Sequence, residues 1–120
     1  MKNPFKRYEI SLNRVHDTVN IRENDEILTL TVSADPMRIV AGLNKAQAKL
    51  QEVVNVENPD DEKIKDAAEY FASVIFGTEQ AGKLMAFYND DAACVINVCG
   101  NYFRDRLGTK ITKIQKKMRK

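Results

Sequence analysis

The chain has 120 residues, of which 43% are hydrophobic and 30% charged, with a formal net charge of +2. This balance is typical of a soluble globular protein and excludes a disordered or membrane-embedded class. A chain of this length buries about two-thirds of the surface that it exposes when unfolded, which is enough for one core. It contains no run of roughly 18 apolar residues and no signal-peptide pattern, so we expect a single cytoplasmic domain.

The first third of the chain predicts antiparallel strands. Residues 8–12 and 26–32 alternate apolar and polar side chains, the period of a half-buried strand, and residues 18–21 are a shorter third candidate. Turn-forming residues separate these runs, namely Asn13, Asp17 and residues 23–25. We therefore expect an N-terminal β-hairpin or a three-stranded meander. A lone hairpin is marginally stable in water, so we expect it to pack against helices or against another chain.

A first helix is predicted to begin at Asp35 and Pro36. The aspartate can cap the helix, and the proline needs no hydrogen-bond partner at the first helical position. The helix is expected to end in the loop at residues 56–59, which contains Pro59. Apolar side chains at helical spacing mark the face that we expect to be buried: Met37, Val40, Leu43, Leu50 and Val54.

The second and third helices are predicted on either side of Gly77. Acidic residues 60–62 suit the first turn of a helix, and Gly77 is expected to close that helix in a left-handed conformation. Thr78 is expected to cap a shorter third helix. The stripes that we expect to be buried are Ile64, Ala67, Ala68, Phe71, Val74 and Ile75 in the second helix, and Ala81, Leu84, Met85 and Tyr88 in the third.

Residues 89–91 break the third helix and offer the cap of a last long one. Its expected apolar face is Ala92, Val95, Ile96, Cys99, Phe103 and Leu107. Gly108 marks an interruption of this helix. The basic tail that follows has a narrow apolar stripe of Ile111, Ile114 and Met118, and we expect it to be helical. The sequence thus predicts one α+β domain: a β-rich part over residues 1–34, a helical part over 35–108 and a tail over 109–120, with four to five helices in all.

Charge is distributed asymmetrically along the chain. Residues 104–120 carry eight basic residues against Asp105, a net charge of +7, and residues 1–103 carry eleven basic against sixteen acidic residues, a net charge of −5. A basic tail on an acidic body is compatible with binding to nucleic acid, to an acidic partner or to a second copy. It is equally compatible with a solvated helix end whose lysines complement the helix dipole.

The residues needed for common catalytic or metal sites do not occur in suitable patterns. His16 is the one histidine, and Cys94 and Cys99 stand five residues apart, about 140° around a helix. That spacing is no CxxC motif and lacks a second pair of ligands. The acidic clusters lie at predicted helix starts, and the glycines are too dispersed for a phosphate-binding loop. We therefore expect a non-enzymatic protein with no metal or cofactor.

A longer pattern occupies the second half of the chain. Residues 67–77 read AAEYFASVIFG and residues 78–88 read TEQAGKLMAFY, followed by a helix with a lysine-rich end. From Asp66 onward the chain resembles the tail-assembly chaperones of long-tailed phages and prophages of low-GC Gram-positive bacteria. In that family a helix ending in Phe-Gly precedes a short helix that contains Lys-Leu and an aromatic residue near its end.

The resemblance implies a small, mainly helical protein of the bacterial cytoplasm. Such chaperones coat the tape-measure protein and recruit tail-tube subunits, and self-association is compatible with that task. Aromatic residues beside helix breaks are candidates for exposure at an interface. The side chains predicted to contact protein partners are Phe76, Leu84, Phe87, Tyr88, Lys113, Lys116 and Lys117.

Two other functions remain open from the sequence. One is a small nucleic-acid-binding regulator that uses the basic tail, although no recognised nucleic-acid motif accompanies the lysines. The other is a structural virion protein, such as a tail or head-completion subunit.

Overall fold

Residues 14–118 are described by the computed structural model. They form an α+β fold that begins with an antiparallel hairpin of β1 (Val15–Glu23) and β2 (Glu26–Ala34), with Glu23 opposite Glu26. The hairpin turns at Asn24, whose φ of +57° is a left-handed conformation that asparagine tolerates well. Within the described residues the sheet is two-stranded rather than a three-stranded meander. The strand predicted at residues 8–12 lies outside this part of the chain.

The first strand is longer than its sequence signal. Residues 18–21 were expected to be strand, and β1 extends this run to nine residues. The prediction that Asp17 forms a turn is wrong, because Asp17 lies within β1 opposite Val32. Its carboxylate accepts hydrogen bonds from the last helix, and this contact outweighs the weak local preference of aspartate for turns.

The helices that follow the hairpin confirm the expected helical region. They are α1 (Pro36–Val54), α2 (Asp61–Phe76), α3 (Thr78–Phe87), α4 (Ala92–Tyr102) and α5 (Gly108–Met118). A π-helical turn (Phe103–Leu107) joins α4 to α5. Phe103 and Gly108 both keep α-helical dihedral angles, so α4, the π-turn and α5 form one continuous helix.

Three of the helices begin where an aspartate side chain caps them. Asp35 accepts from the backbone N–H of Met37 at 2.9 Å, Asp60 accepts from Glu62 at 2.9 Å, and Asp91 accepts from Cys94 at 3.2 Å. These contacts confirm the starts predicted at residues 35 and 60 and the cap expected within residues 89–91.

The α2–α3 junction differs from the expectation. Thr78 is the first residue of α3 and does not cap it, so that prediction is wrong. Gly77 closes α2 and opens α3, with φ of +88° as expected but with ψ of 159°, an extended rather than a left-handed helical conformation. Only glycine adopts this backbone without strain, so one residue separates two helices that point in different directions.

The buried face of α1 contains fewer residues than predicted and lies on a different side of the helix. Ile39 and Ala46 are buried, whereas Met37 and Val54 are 53% and 42% exposed, so the prediction for these two residues is wrong. α1 packs closely on α2 at Gly42, where an added Cβ would come within 2.7 Å of a Val74 methyl carbon. This close approach determines which side of α1 is covered.

The core lies between the inward face of the hairpin and helices α1 to α5. The inward strand residues alternate with exposed polar ones, as the period-two pattern predicts. The largest side chains with almost no exposed surface are Leu30, Ile39, Leu84, Leu107, Val15, Val32, Val95 and Cys99.

Candidate protein-binding groove

A groove of about 630 Å³ lies between α1 and the continuous helix of α4 and α5. Val40 of α1 lines one side, and Phe103 and Ile111 line the other. Met37 lies next to the groove, because its sulfur is 3.4 Å from the side-chain nitrogen of Gln115. Gln115 lines the groove. Met37 and Phe103 are two of the five exposed large hydrophobic side chains among residues 14–118, so apolar surface is concentrated here.

The π-helical turn positions Phe103 at this groove. The buried residues of the last helix include Tyr102 and Leu107, which are five residues apart. In an α-helix five residues span 500°, so these two side chains would differ by 140° and could not share a face. The wider turn, closed by the Gly108 N–H donating to the Phe103 carbonyl, absorbs the extra residue. Both side chains therefore stay in the core.

Phe103 is consequently outside the core. The prediction that it belongs to the buried seam is wrong, because Tyr102 occupies that place and Phe103 is 37% exposed. Gly108 provides the space for it: an added Cβ there would lie 3.1 Å from the Phe103 carbonyl oxygen and 3.6 Å from its ring. The phenylalanine ring thus rests on the glycine at the edge of the groove.

The edge of the groove is basic. Arg104, Lys113 and Lys116 line it. Arg104 bonds to Asn101 at 2.8 Å and pairs with Asp105 at 3.4 Å, both through exposed side chains. Within residues 14–118 neither lysine has an ion-pair partner. The groove therefore combines an apolar floor with unneutralised positive charge, a surface complementary to an acidic amphipathic segment.

The structure divides the predicted contact residues into three groups, which are buried, exposed and half-buried. Phe76 and Leu84 are 5% and 0% exposed, so neither is available to a partner in this conformation, and the expectation of an exposed Phe76 is wrong. Phe76 is covered by stacking on Tyr102, with ring centroids 5.8 Å apart. Among the lysines, Lys113 and Lys116 line the groove, and Lys117 is exposed on the same helix.

Phe87 and Tyr88 remain half-buried at the end of α3, away from this groove. Their rings meet edge to face with centroids 5.2 Å apart. Burial, followed by the negative charge of Glu23 at the hairpin turn, raises the pKa of the Tyr88 hydroxyl. Tyr88 thus contacts the hairpin turn from the end of α3, and Phe87 packs on Tyr88.

Sequence reasoning identified Lys113 and Lys116 but missed the apolar residues of the groove. Met37, Val40 and Phe103 were all assigned to the buried faces of their helices. The signal for Phe103 was present in the spacing of five between Tyr102 and Leu107, which does not fit an α-helix. For Met37 and Val40 the sequence carries no comparable signal.

A buried carboxylate holds the π-turn against the hairpin. The Asp17 side chain is 5% exposed, and it accepts the Tyr102 hydroxyl at 2.7 Å, the Thr18 backbone N–H at 2.9 Å and the Arg106 guanidinium. Burial and then the hydrogen bond to Asp17 raise the pKa of Tyr102. These three donors hold the carboxylate in place, so the cluster fixes the last helix against the hairpin.

The other reactive side chains are separated. His16 is exposed on β1, Cys94 is half-buried, and Cys99 lies in the core, where burial raises its pKa to about 12. A thiol with that pKa stays protonated near neutral pH and is a poor nucleophile. Within residues 14–118 no three His, Cys, Asp or Glu side chains are grouped so that they could hold a metal ion. None of the described helices is long and apolar enough to cross a membrane.

Comparison with known proteins identifies no relative. The chain matches no protein-family model, no curated protein and no solved structure.

Proposed function

We propose that the chain is a non-enzymatic protein-binding module that acts as a phage tail-assembly chaperone in the bacterial cytoplasm. Its groove takes a helical segment of the tape-measure protein, and tail-tube subunits are recruited to the complex. The single observation that carries the proposal is the basic-edged apolar groove, with Met37 and Phe103 exposed beside it. The resemblance of residues 66–120 to the chaperone family adds the identity of the partner.

The shape and chemistry of the groove support a helical ligand. Two helices form its walls, and an amphipathic helix can lay its apolar stripe between them. Acidic side chains flanking that stripe would meet Lys113 and Lys116. A tape-measure protein is a long helical chain with apolar seams, so it offers many such segments.

The size of the groove supports a reversible role. A volume of about 630 Å³ accommodates only a few side chains of the ligand, so each contact is weak. Many copies along one ligand gain avidity and still release one at a time. Replacement by tail-tube subunits during polymerisation requires this behaviour.

Co-expression with the tape-measure protein, followed by pull-down and a titration of the purified complex, tests the proposal. Truncating a central interface residue commonly weakens binding about 10-fold or more, and we expect this for Phe103→Ala and for Met37→Ala. Ile27→Ala is the matched control, since Ile27 is 53% exposed on the hairpin, outside the groove. Circular dichroism of each variant checks that the fold is retained.

Two results would contradict this function. One is the absence of a complex at low and moderate salt. The other is a complex whose affinity ignores both groove variants.

The lysines of α5, which have no ion-pair partner among residues 14–118, support nucleic-acid binding as a second candidate. Lys113, Lys116 and Lys117 are exposed on a helix end. A regulator of this kind would bind DNA with a steep dependence on salt, would lose binding when residues 110–120 are removed, and would be insensitive to Phe103→Ala. Detection of the chain in finished virions would instead indicate a structural tail or head-completion protein.

A further inference from the structure

The antiparallel pair of α1 and α2 has a cleft at one end. This cleft has a volume of about 780 Å³ and lies where β2 ends, α1 begins and α2 ends. Arg14, Arg38 and Lys45 contribute three positive charges to its lining, and Ala41 and Val74 contribute apolar surface. We call this site the basic cleft.

Little in the described part of the chain neutralises these charges. Asp35, which caps α1, is the one acidic residue among the described lining residues, so one negative charge faces three positive charges. Arg14 donates to the Ser33 backbone carbonyl at 2.9 Å, a bond that leaves its positive charge uncompensated. Within residues 14–118 none of the three cations forms an ion pair.

The opposite end of the same helix pair has the complementary character. Residues 52–65 contain five acidic and two basic residues, and one of the basic residues, Lys65, is paired with Glu62 at 3.3 Å. Val54 and Val56 are 42% and 50% exposed there, surrounded by these acids. We call residues 52–62 the acidic tip.

The acidic tip cannot reach the basic cleft of its own chain. Sixteen residues of α1 separate Arg38 from Val54, and a rise of 1.5 Å per residue places these positions about 24 Å apart. Because α1 is a continuous helix, this separation is rigid. A contact between the two surfaces must therefore join two molecules.

We propose that the acidic tip of one copy inserts into the basic cleft of the next. The exposed valines meet the apolar surface of Ala41 and Val74, and the tip carboxylates meet Arg14, Arg38 and Lys45. Charge and apolar character thus match at the same pair of surfaces. The contact is head-to-tail, so it extends into rings or open chains of copies instead of closing as a two-fold dimer.

This inference does not depend on the proposed function. The basic cleft and the groove share no lining residue, so each is tested by its own variants. Head-to-tail association would nevertheless suit a protein that covers a long ligand, because each bound copy places the next.

Sedimentation velocity over a range of concentrations tests the contact with two charge-reversed variants. The cleft variant is Arg38→Glu/Lys45→Glu, and the tip variant is Glu52→Lys/Glu57→Lys. Like charges brought together across an interface are strongly unfavourable, so we expect each variant alone to associate at least about 100-fold more weakly than the wild type. A mixture of the two variants should associate again, because every tip then finds a cleft of opposite charge. The matched control, Arg22→Glu/Glu26→Lys, reverses exposed charges at the hairpin turn and should behave as the wild type.

The dependence on salt provides a second readout. Raising the ionic strength from about 0.05 M to about 0.5 M shortens the screening length several-fold and should weaken wild-type association. A wild type that stays monomeric at every concentration overturns the proposal. So does a mixture of the two variants that associates no better than either variant alone. Circular dichroism distinguishes loss of association from loss of fold.

Discussion

The π-helical turn provides a sharp test of how the last helix is packed. Deleting Asp105 removes the extra residue between Tyr102 and Leu107 and leaves them four apart, the spacing of one α-helical face. Arg106 then follows Tyr102 by three residues and stays within 60° of it, on the side that faces Asp17. We expect the shortened helix to become regular and to keep its core contacts.

The expected change in the free energy of unfolding is small. Asp105 is exposed, and its ion pair with Arg104 is worth at most about 1 kcal/mol at a surface site. Deleting Asn97, an exposed residue in the middle of α4, is the matched control. That deletion rotates Tyr102 by 100° relative to the start of the helix, which removes a buried ring and its hydrogen bond to Asp17. We expect a loss of about 3–5 kcal/mol for the control.

Urea unfolding followed by circular dichroism measures both deletions under the same conditions. The free energy of unfolding should fall by less than about 1 kcal/mol for the Asp105 deletion and by several times that for the Asn97 deletion. Equal losses for the two deletions would refute the argument, because they would show that the π-turn does not compensate for the spacing of five.

Two further predictions concern single residues. Gly77→Ala should destabilise the fold by about 1–3 kcal/mol, because φ is +88° at this position. Gly82→Ala should stabilise the fold by about 0.5–1 kcal/mol, because Gly82 lies in α3 and an added Cβ there has nothing within 4 Å. Thermal unfolding measures both variants, and equal effects would exclude backbone strain as the cause. Burial raises the pKa of Cys99 from its ordinary value of 9.0 to about 12, so the folded protein keeps a thiol proton that the unfolded chain loses above about pH 9. The contribution of the buried neutral thiol to the free energy of unfolding is therefore complete below about pH 9 and is lost as the pH rises toward 12. Cys99→Ala should therefore make the decline in unfolding free energy between about pH 9 and 11 shallower, by up to about 1.4 kcal/mol per pH unit, and an unchanged slope would contradict this assignment.

Features that depend on near neighbours could be predicted from the sequence. The cap at Asp35 and a cap within residues 89–91 were predicted, because a capping side chain bonds a backbone N–H only two or three residues away. The positive φ of Gly77 and the hairpin turn at Asn24 follow equally local rules. The order of a hairpin followed by helices, and thus the α+β class, came from periodicity over similarly short windows.

The strand position of Asp17 depends on contacts that no short window contains. Its partners Tyr102 and Arg106 are 85 and 89 residues away in the chain. Local chemistry favours a turn at an aspartate, and only the docked helix makes a buried carboxylate in a strand favourable. Phe103 was misplaced for a related reason, since the expected face assumed a regular α-helix through residues 103–107.

The sequence by itself determined where most elements begin and which broad class of fold they form, because those choices follow from hydrogen bonds and side-chain periods within a few residues. Only the tertiary structure decided which apolar side chains stay exposed. Met37 and Phe103 lie far apart in the chain, and in the sequence each matches the apolar spacing of a buried helix face. They are exposed because of how α1 packs on α2 and how the π-turn rotates the last helix. The groove exists because those two packings leave one apolar strip between helices uncovered.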